Sequence, residues 1–118
     1  MKATAVRLEL EPVLGASGTA RAAIAEEFGD VLDPERLMDL RMAVSMLVTN
    51  SIHSKDGEVI KIRVWQDAEQ IRGQVSDGGR GAPTLLGRIE AHRRAGSSVL
   101  DAVTRDWGTE GATAWFVL

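Results

Sequence analysis

Two short stretches of the chain carry residue types that could bind a ligand, and the first lies on a predicted helix. Asp39, Met42, Met46 and Asn50 follow one another at steps of three, four and four residues, so they share one helical face. Asparagine is a mediocre helix former. Its position inside a helix therefore calls for an explanation. One explanation is that the amide oxygen of Asn50 serves as a ligand for a hard cation such as Mg²⁺. The alternative is an ordinary solvated residue near a helix end.

The second stretch is a glycine-rich turn directly after a predicted strand. It has the pattern Asp77-x-Gly79-x-Gly81. Glycines allow a sharp turn and the close approach of a ligand to the backbone. A carboxylate at the end of a strand can accept a hydrogen bond from an exocyclic amino group. A strand-ending turn with Asp and Gly is also common without any ligand, so both interpretations stay open.

The elements that must position these residues follow from the spacing of apolar side chains. Asp33 as N-cap, followed by Pro34 and Glu35, indicates the start of a long helix. The whole pattern predicts strands at 4–10, 58–65, 71–75 and 112–118, and helices at 19–28, 34–53, 85–94 and 97–105. We expect a single α/β (α+β) domain over residues 1–118. It would be a two-layer sandwich with a mixed, largely antiparallel sheet and helices on one face.

Composition narrows the class of protein. The 118 residues are 44% apolar and contain no cysteine, so disulfides and thiolate metal sites are excluded. The formal charge of −3, from 14 basic and 17 acidic residues, gives no basic excess, so no nucleic-acid partner is expected. No apolar run reaches the ~20 residues of a membrane span, and residues 1–10 do not form a signal peptide. We expect a cytoplasmic protein without a membrane partner.

Three tryptophans are spread along the chain. Trp65, Trp107 and Trp115 each lie in or beside an apolar segment. No interleaving of basic and aromatic residues accompanies them in the sequence. Core packing is therefore the expected role of all three.

Taken together, the helix ending in 47–51, the hairpin and the turn at 75–81 resemble the GHKL ATPase superfamily. The similarity is greatest to the anti-sigma factor serine/threonine kinase branch of the histidine-kinase-like ATPase domains. Residues 41–50 resemble the N box and residues 77–81 the G1 box of that branch. The matches continue after the ATP lid and in the closing strand, at 100–103, 106–108, Gly111, Thr113 and 115–116. The resemblance implies a Bergerat-type ATP-binding fold, with ATP and Mg²⁺ as cofactors.

The resemblance also implies roles for individual residues. Asn50 would bind the Mg²⁺ that bridges the phosphates. Asp77 would accept a hydrogen bond from the adenine amino group, which selects adenine over guanine. Gly79 and Gly81 would leave room for the base and the ribose, and Thr113 would lie near the adenine pocket.

The ATP lid differs from the family pattern. Gly96 stands at the second glycine of the lid-closing motif, but Arg94 stands where the family has the first glycine. Fewer glycines leave fewer backbone amides free to wrap phosphates. Basic residues crowd this segment and could grip a triphosphate or form an ordinary solvated face: Arg80, Arg88, His92, Arg93 and Arg94.

A second departure concerns the general base. The family has a glutamate four residues before the N-box asparagine, and this chain has Met46 there. A thioether cannot accept a proton, and loss of a general base typically lowers a rate by about 10²–10⁴. Asp39 is seven residues away, ~10 Å along the helix axis, which is too far for direct contact.

The resemblance, together with these departures, implies an ATP-binding regulatory domain with weak or lost phosphotransfer to serine or threonine. Its partner would be a protein, either a sigma factor or an anti-sigma antagonist. Relatives often dimerise, so a homodimer is a further expectation, although no interface signal stands out. The alternative is a catalytically inactive protein-interaction module. A third hypothesis is the catalytic half of a histidine kinase. This hypothesis is weakened because the chain has no room for the dimerisation and phosphoacceptor helices.

Overall fold

The computed structural model describes residues 4–52, 59–76, 99–111 and 113–118. Within these ranges the chain forms five strands and three helices. In chain order they are β1 (Ala5–Leu10), α1 (Ala16–Phe28), α2 (Pro34–Ile52), β2 (Ile60–Asp67), β3 (Gln70–Ser76), α3 (Val99–Val103), β4 (Asp106–Glu110) and β5 (Thr113–Val117). The weak helix predicted at 85–94 lies outside the described residues.

The five strands form one sheet in the order β1-β2-β3-β5-β4. All four pairings between these described strands are antiparallel, where the sequence predicted a mixed, largely antiparallel sheet. The α+β fold with helices on one face of the sheet is confirmed. Alternate strand residues, such as Ile62 and Val64, are buried beneath the helices. The described part of the chain contains no helix that is both long enough and apolar enough to cross a membrane.

Helix α1 begins three residues earlier than the sequence predicted. It buries Ala16, Ala20, Ile24 and Phe28, which recur at every fourth position. Gly18 would be expected to disfavour the first turn, since glycine costs roughly 1 kcal/mol relative to alanine inside a helix. The buried stripe extends through that turn nevertheless, because Ala16 belongs to the hydrophobic core.

Helix α2 begins as the capping residues predicted. The backbone N–H of Arg36 donates to the Asp33 carboxylate at 2.8 Å, which satisfies one of the amides left unpaired at a helix start. An apolar stripe of α2 faces the core. Its fully buried members are Leu40, Val44, Leu47 and Val48.

Strands β2 and β3 form a hairpin with a shorter loop than expected. The register pairs Asp67 with Gln70, so only Ala68 and Glu69 lie in the loop. The predicted strands ended at residue 65 and began at residue 71, so both strands extend further into the loop than predicted. Ala68 has a φ of 55°, a conformation that normally favours glycine.

Strand β4 was missed by the sequence reading, which extended a helix over 97–105 and assigned no element to 106–110. Helix α3 ends at Val103, and Asp106–Glu110 forms the edge strand beside β5. The sequence offers no alternation of apolar residues here, and Gly108 is a residue type depleted in strands. The structure supplies the reason: a Cβ atom at Gly108 would lie 2.7 Å from the Trp115 ring, which covers this glycine.

The tryptophans divide between the two faces of the sheet. Trp107 is 1% exposed and lies in the core, as predicted. Trp65 and Trp115 are only half-buried and lie on the face away from the helices, so core packing is wrong for these two. The sequence could not separate them, because a tryptophan can lie on either face of a strand and only the register decides.

Candidate functional site

An open groove of about 590 Å³ runs along α2 and is bordered by the start of α3. Three methionines at four-residue steps line it, and two of them are well exposed, Met38 at 62% and Met42 at 41%. The third, Met46, is half-buried and packs against the core. The remaining lining residues are Arg21, Arg41, Ser45, Thr49 and Val99.

Two polar contacts fix α1 against α2 beside this groove. A guanidinium nitrogen of Arg21, Nη1, donates to the Ser45 hydroxyl at 2.8 Å. One turn away, the hydroxyls of Ser17 and Thr49 are 2.9 Å apart, and either can donate. Both contacts join positions four residues apart on each helix, so they hold the antiparallel helix pair in register. Arg21 is thereby placed at the edge of the groove.

Helix α3 closes the other side of the groove and is fastened to β4. The indole N–H of Trp107 donates to a carboxylate oxygen of Asp101 at 2.7 Å. Leu100, which is fully buried, anchors the same short helix in the core. These contacts fix the position of Val99, whose side chain is 37% exposed at the rim of the groove.

The groove offers cations but no proton acceptor of the carboxylate type. Among its described lining residues, Arg21 and Arg41 are basic and none is acidic. Asp39 does not join it, because its side chain lines a different cavity together with Arg36. The predicted stripe of Asp39, Met42, Met46 and Asn50 is therefore divided: the two methionines share the groove and Asp39 does not.

The remaining predicted site residues are only partly described. Residue 50 lies in α2, one turn beyond Met46. Asp77 is the next residue in the chain after Ser76, the last residue of β3. Asp77, Gly79, Gly81 and Gly96 all lie outside the described residues, as do the basic residues of the lid segment.

Thr113 is described and does not approach the groove. It is the first residue of β5 and pairs with Ser76 of β3. Its neighbour Ala114 is buried on the helix side, so alternation along the strand places Thr113 on the opposite face. There it lines a cleft with Ser76 and Lys61. Thr113 therefore does not line the groove along α2. The residues predicted to form the adenine pocket around Asp77 lie outside the described residues, so the place of Thr113 near that pocket stays a prediction.

Sequence reasoning missed several residues of the groove. Arg21 is the only basic residue of α1, a helix otherwise rich in alanine and glutamate, and this isolation was an available signal. The predicted helical face already includes Met42 and Met46, and Met38 continues their four-residue spacing, which could have been noticed. Val99 had no signal, because only the fold brings it beside α2.

The chain shares its fold with a solved structure described as the RsbU and RsbW domains of Rv1364c from Mycobacterium tuberculosis. The two superpose with a TM-score of 0.70 at 18% sequence identity, over 97% of this chain and 31% of that one. This chain therefore spans about a third of the length of that protein. No protein-family profile matches the sequence, and no curated protein does.

Proposed function

We propose that this chain is a regulatory ATP-binding domain of the anti-sigma factor serine/threonine kinase type, with weak or lost phosphotransfer. The observation that carries the proposal is the shared fold, which covers 97% of the chain and includes a domain named RsbW. On this fold, the helix that resembles the N box is α2. Side chains of this helix from Met38 to Thr49 line the open groove, and the helix itself continues to Ile52.

The groove has the size and part of the chemistry that a nucleotide needs. Its volume of about 590 Å³ lies within the ~300–1,000 Å³ typical of small-molecule pockets. Arg21 and Arg41 provide positive charge at its border, where phosphate oxygens could be bound. Asn50 carries an amide oxygen, a hard ligand that suits Mg²⁺. Bound Mg²⁺ would neutralise phosphate charge.

We assign adenine recognition to Asp77, with Gly79 and Gly81 giving space to the base and ribose and Gly96 contributing to the lid. Thr113 is not counted among the residues of the groove, because its side chain lies on the other face of the sheet.

We also propose that the protein acts in the cytoplasm on a protein partner, a sigma factor or an anti-sigma antagonist. Homodimerisation is part of the same proposal.

Weak phosphotransfer follows from the lining of the groove. Met46 stands at the general-base position, and no described lining residue is a carboxylate that could replace it. An attacking hydroxyl would lack a partner to orient it and take its proton, which phosphoryl transfer requires even when positioning supplies most of the catalysis.

Titration calorimetry with Mg-ATP tests nucleotide binding. We expect a saturable heat with wild type, weaker binding of GTP, and loss of the ATP signal in Asp77→Asn. Asp30→Asn, which changes an exposed carboxylate between α1 and α2, is the matched control and should bind like wild type. Absence of heat up to millimolar Mg-ATP in the folded wild-type protein would refute the nucleotide part of the proposal.

A second candidate function is favoured by the apolar character of the groove. Exposed Met38 and Met42, together with Val99, form a surface that flexible thioether side chains can adapt to a protein partner. The chain would then act as an interaction module without nucleotide turnover. Binding of a candidate antagonist with the same affinity in the presence and absence of Mg-ATP, and with no transfer of label from γ-labelled ATP, would favour this function.

A further inference from the structure

The helix-free face of the sheet carries an ordered array of side chains that the proposed function does not use. Strand register fixes this array, because directly paired residues share a face. One row across the sheet is Glu9, Lys61, Ser76, Thr113 and Glu110, and the next is Arg7, Arg63, Gln74, Trp115 and Gly108. A third row contains Ala5, Trp65, Arg72, Val117 and Asp106.

Positive charge is concentrated in one part of this face. Arg7, Lys61 and Arg63 line a cleft of about 390 Å³ together with the neutral hydrogen-bonding side chains of Gln74, Ser76 and Thr113. Glu9 is the one carboxylate in the described lining. Within the part of the chain that the structure describes, none of the three cations forms an ion pair. They are available to an anionic ligand.

Negative charge lies mainly at the margins. Glu9 belongs to the edge strand β1, while Asp106 and Glu110 belong to the opposite edge strand β4. At the hairpin end, Asp67 forms an ion pair with Arg72 at 3.3 Å. The middle of the face therefore combines cations with neutral hydrogen-bonding groups.

Two indole rings lie within the same array. The guanidinium carbon of Arg63 lies over the Trp65 ring, 4.8 Å from the ring centroid, so the two side chains make a cation–π contact. On the other side of Gln74, Trp115 rests against the backbone of Gly108. Both indoles are half-buried, so part of each ring is accessible to a ligand.

We propose that this face binds single-stranded nucleic acid. Phosphates would contact Arg7, Lys61 and Arg63, and unpaired bases would stack on Trp115 and on the Arg63 guanidinium. An acidic peptide would satisfy the charges equally well but would make no use of flat rings beside them. The net charge of −3 does not oppose this assignment, because the sum over the chain conceals a local cluster that forms only when β1, β2 and β3 pair.

The proposal predicts a definite response to salt. Three phosphate contacts on a single strand give a slope of about −2 in log affinity against log salt concentration, from roughly −0.7 per contact. Raising salt from 50 to 200 mM would then weaken binding by about 20-fold. The neutral variant Arg63→Gln should reduce the magnitude of the slope by about 0.7.

Fluorescence anisotropy of labelled dT8 with the full chain tests the proposal. Gln74→Glu places a carboxylate at the centre of the face without changing its shape, and we expect at least a tenfold loss of affinity. Trp115→Leu should weaken binding by about 5-fold or more, the lower end of one base–aromatic stack. Arg36→Gln removes a positive charge on the helix side and should bind like wild type. Circular dichroism melts confirm that each variant is folded.

Three outcomes would overturn the proposal. The first is an absence of binding up to millimolar protein in low salt. The second is equal competition by an octaglutamate peptide together with wild-type affinity in folded Trp115→Leu, which would show a charge patch without base recognition. The third is a wild-type dimer in sedimentation that Gln74→Glu converts to monomer, which would show that a second copy covers the face.

Discussion

The two faces of the sheet present different kinds of surface. On the helix side, the groove along α2 combines methionines and small hydroxyl side chains with Arg21 and Arg41, and its described part holds no carboxylate. On the helix-free side, a shallow cleft holds three cations beside two half-buried indoles. The first surface depends on helix periodicity and on packing between layers. The second depends only on strand register, so mutations should separate the two.

The largest expected effect concerns Met46 on the helix side. Met46→Glu would supply the proton acceptor that the proposed kinase-type site lacks. If nucleotide binds as proposed, hydrolysis of Mg-ATP or transfer to an antagonist should rise by up to about 10²–10⁴-fold, the contribution of a general base. Phosphate release measured with saturating Mg-ATP checks this prediction. Nucleic-acid binding on the other face should not change.

Met46→Gln is the matched control, because glutamine has nearly the shape of glutamate and accepts no proton at neutral pH. It should leave the rate at the wild-type level. A well-folded Met46→Glu that gains no activity would mean that the lid, or another step, limits the reaction. Equal gains in both variants would contradict the assignment of a general-base role to this position.

Two glycine–aromatic pairs allow the faces to be compared in stability. A Cβ atom at Gly73 would overlap the ring of its cross-strand partner Phe116, which is 1% exposed in the core. Gly73→Ala should therefore lower the free energy of unfolding by ~2–3 kcal/mol, the cost of overpacking. At Gly108 the obstacle is the half-buried Trp115, which can move outward, so Gly108→Ala should cost only ~1 kcal/mol.

Urea unfolding of both variants at one temperature measures this difference. The comparison needs a Gly→Ala control at which the added methyl group meets no obstacle. Gly111→Ala is unsuitable, because the φ of +60° at Gly111 adds backbone strain. Gly18→Ala is suitable, since the site is exposed in α1 and the added methyl favours the helix. Equal losses in the free energy of unfolding for Gly73→Ala and Gly108→Ala would show that the helix-free face is packed as rigidly as the core.

Much of the fold could be predicted from the sequence because local signals were strong. Helix α2 has a cap at Asp33 and a buried stripe at regular spacing, and both appear in the structure. Strand β4 could not be predicted, because Trp107 is its only large apolar residue and Gly108 makes sense only beside Trp115. A contact between two strands, such as that of Gly108 with Trp115, cannot be recognised from the sequence of either strand alone.

The candidate site was less accessible to prediction for the same reason. A helical wheel grouped Asp39 with Met46, but the neighbouring elements decide which cavity each side chain lines. Register with Ser76 decides which face of the sheet the Thr113 side chain occupies, and a motif match carries no information about register. The cluster of Arg7, Lys61 and Arg63 on the helix-free face could not be predicted at all. These cations come from two strands that are more than fifty residues apart in the sequence.

A smaller effect is expected where α1 meets α2. Arg21→Ala and Ser45→Ala each remove one partner of the 2.8 Å hydrogen bond beside the groove. A double-mutant cycle should give a coupling of about 0.5–1.5 kcal/mol in the free energy of unfolding, the usual contribution of one such bond. The Ser17–Thr49 pair provides a comparison one turn away. A coupling near zero would mean that Arg21 does not stabilise the helix pair, and its role would lie in ligand contact alone.

The smallest effect is expected in the hairpin loop, which belongs to neither surface. Ala68 has a φ of 55°, where a Cβ atom costs roughly 1–2 kcal/mol. Ala68→Gly removes this strain but increases the entropy of the unfolded chain, which offsets about 0.4–1 kcal/mol. A net stabilisation of ~0.5 kcal/mol should appear in urea unfolding, with unchanged binding on both faces. Glu69→Gly is the control, because Glu69 has no positive φ and the substitution there should destabilise. Destabilisation by Ala68→Gly would contradict the loop geometry, and with it the register that aligns Arg63 with Gln74.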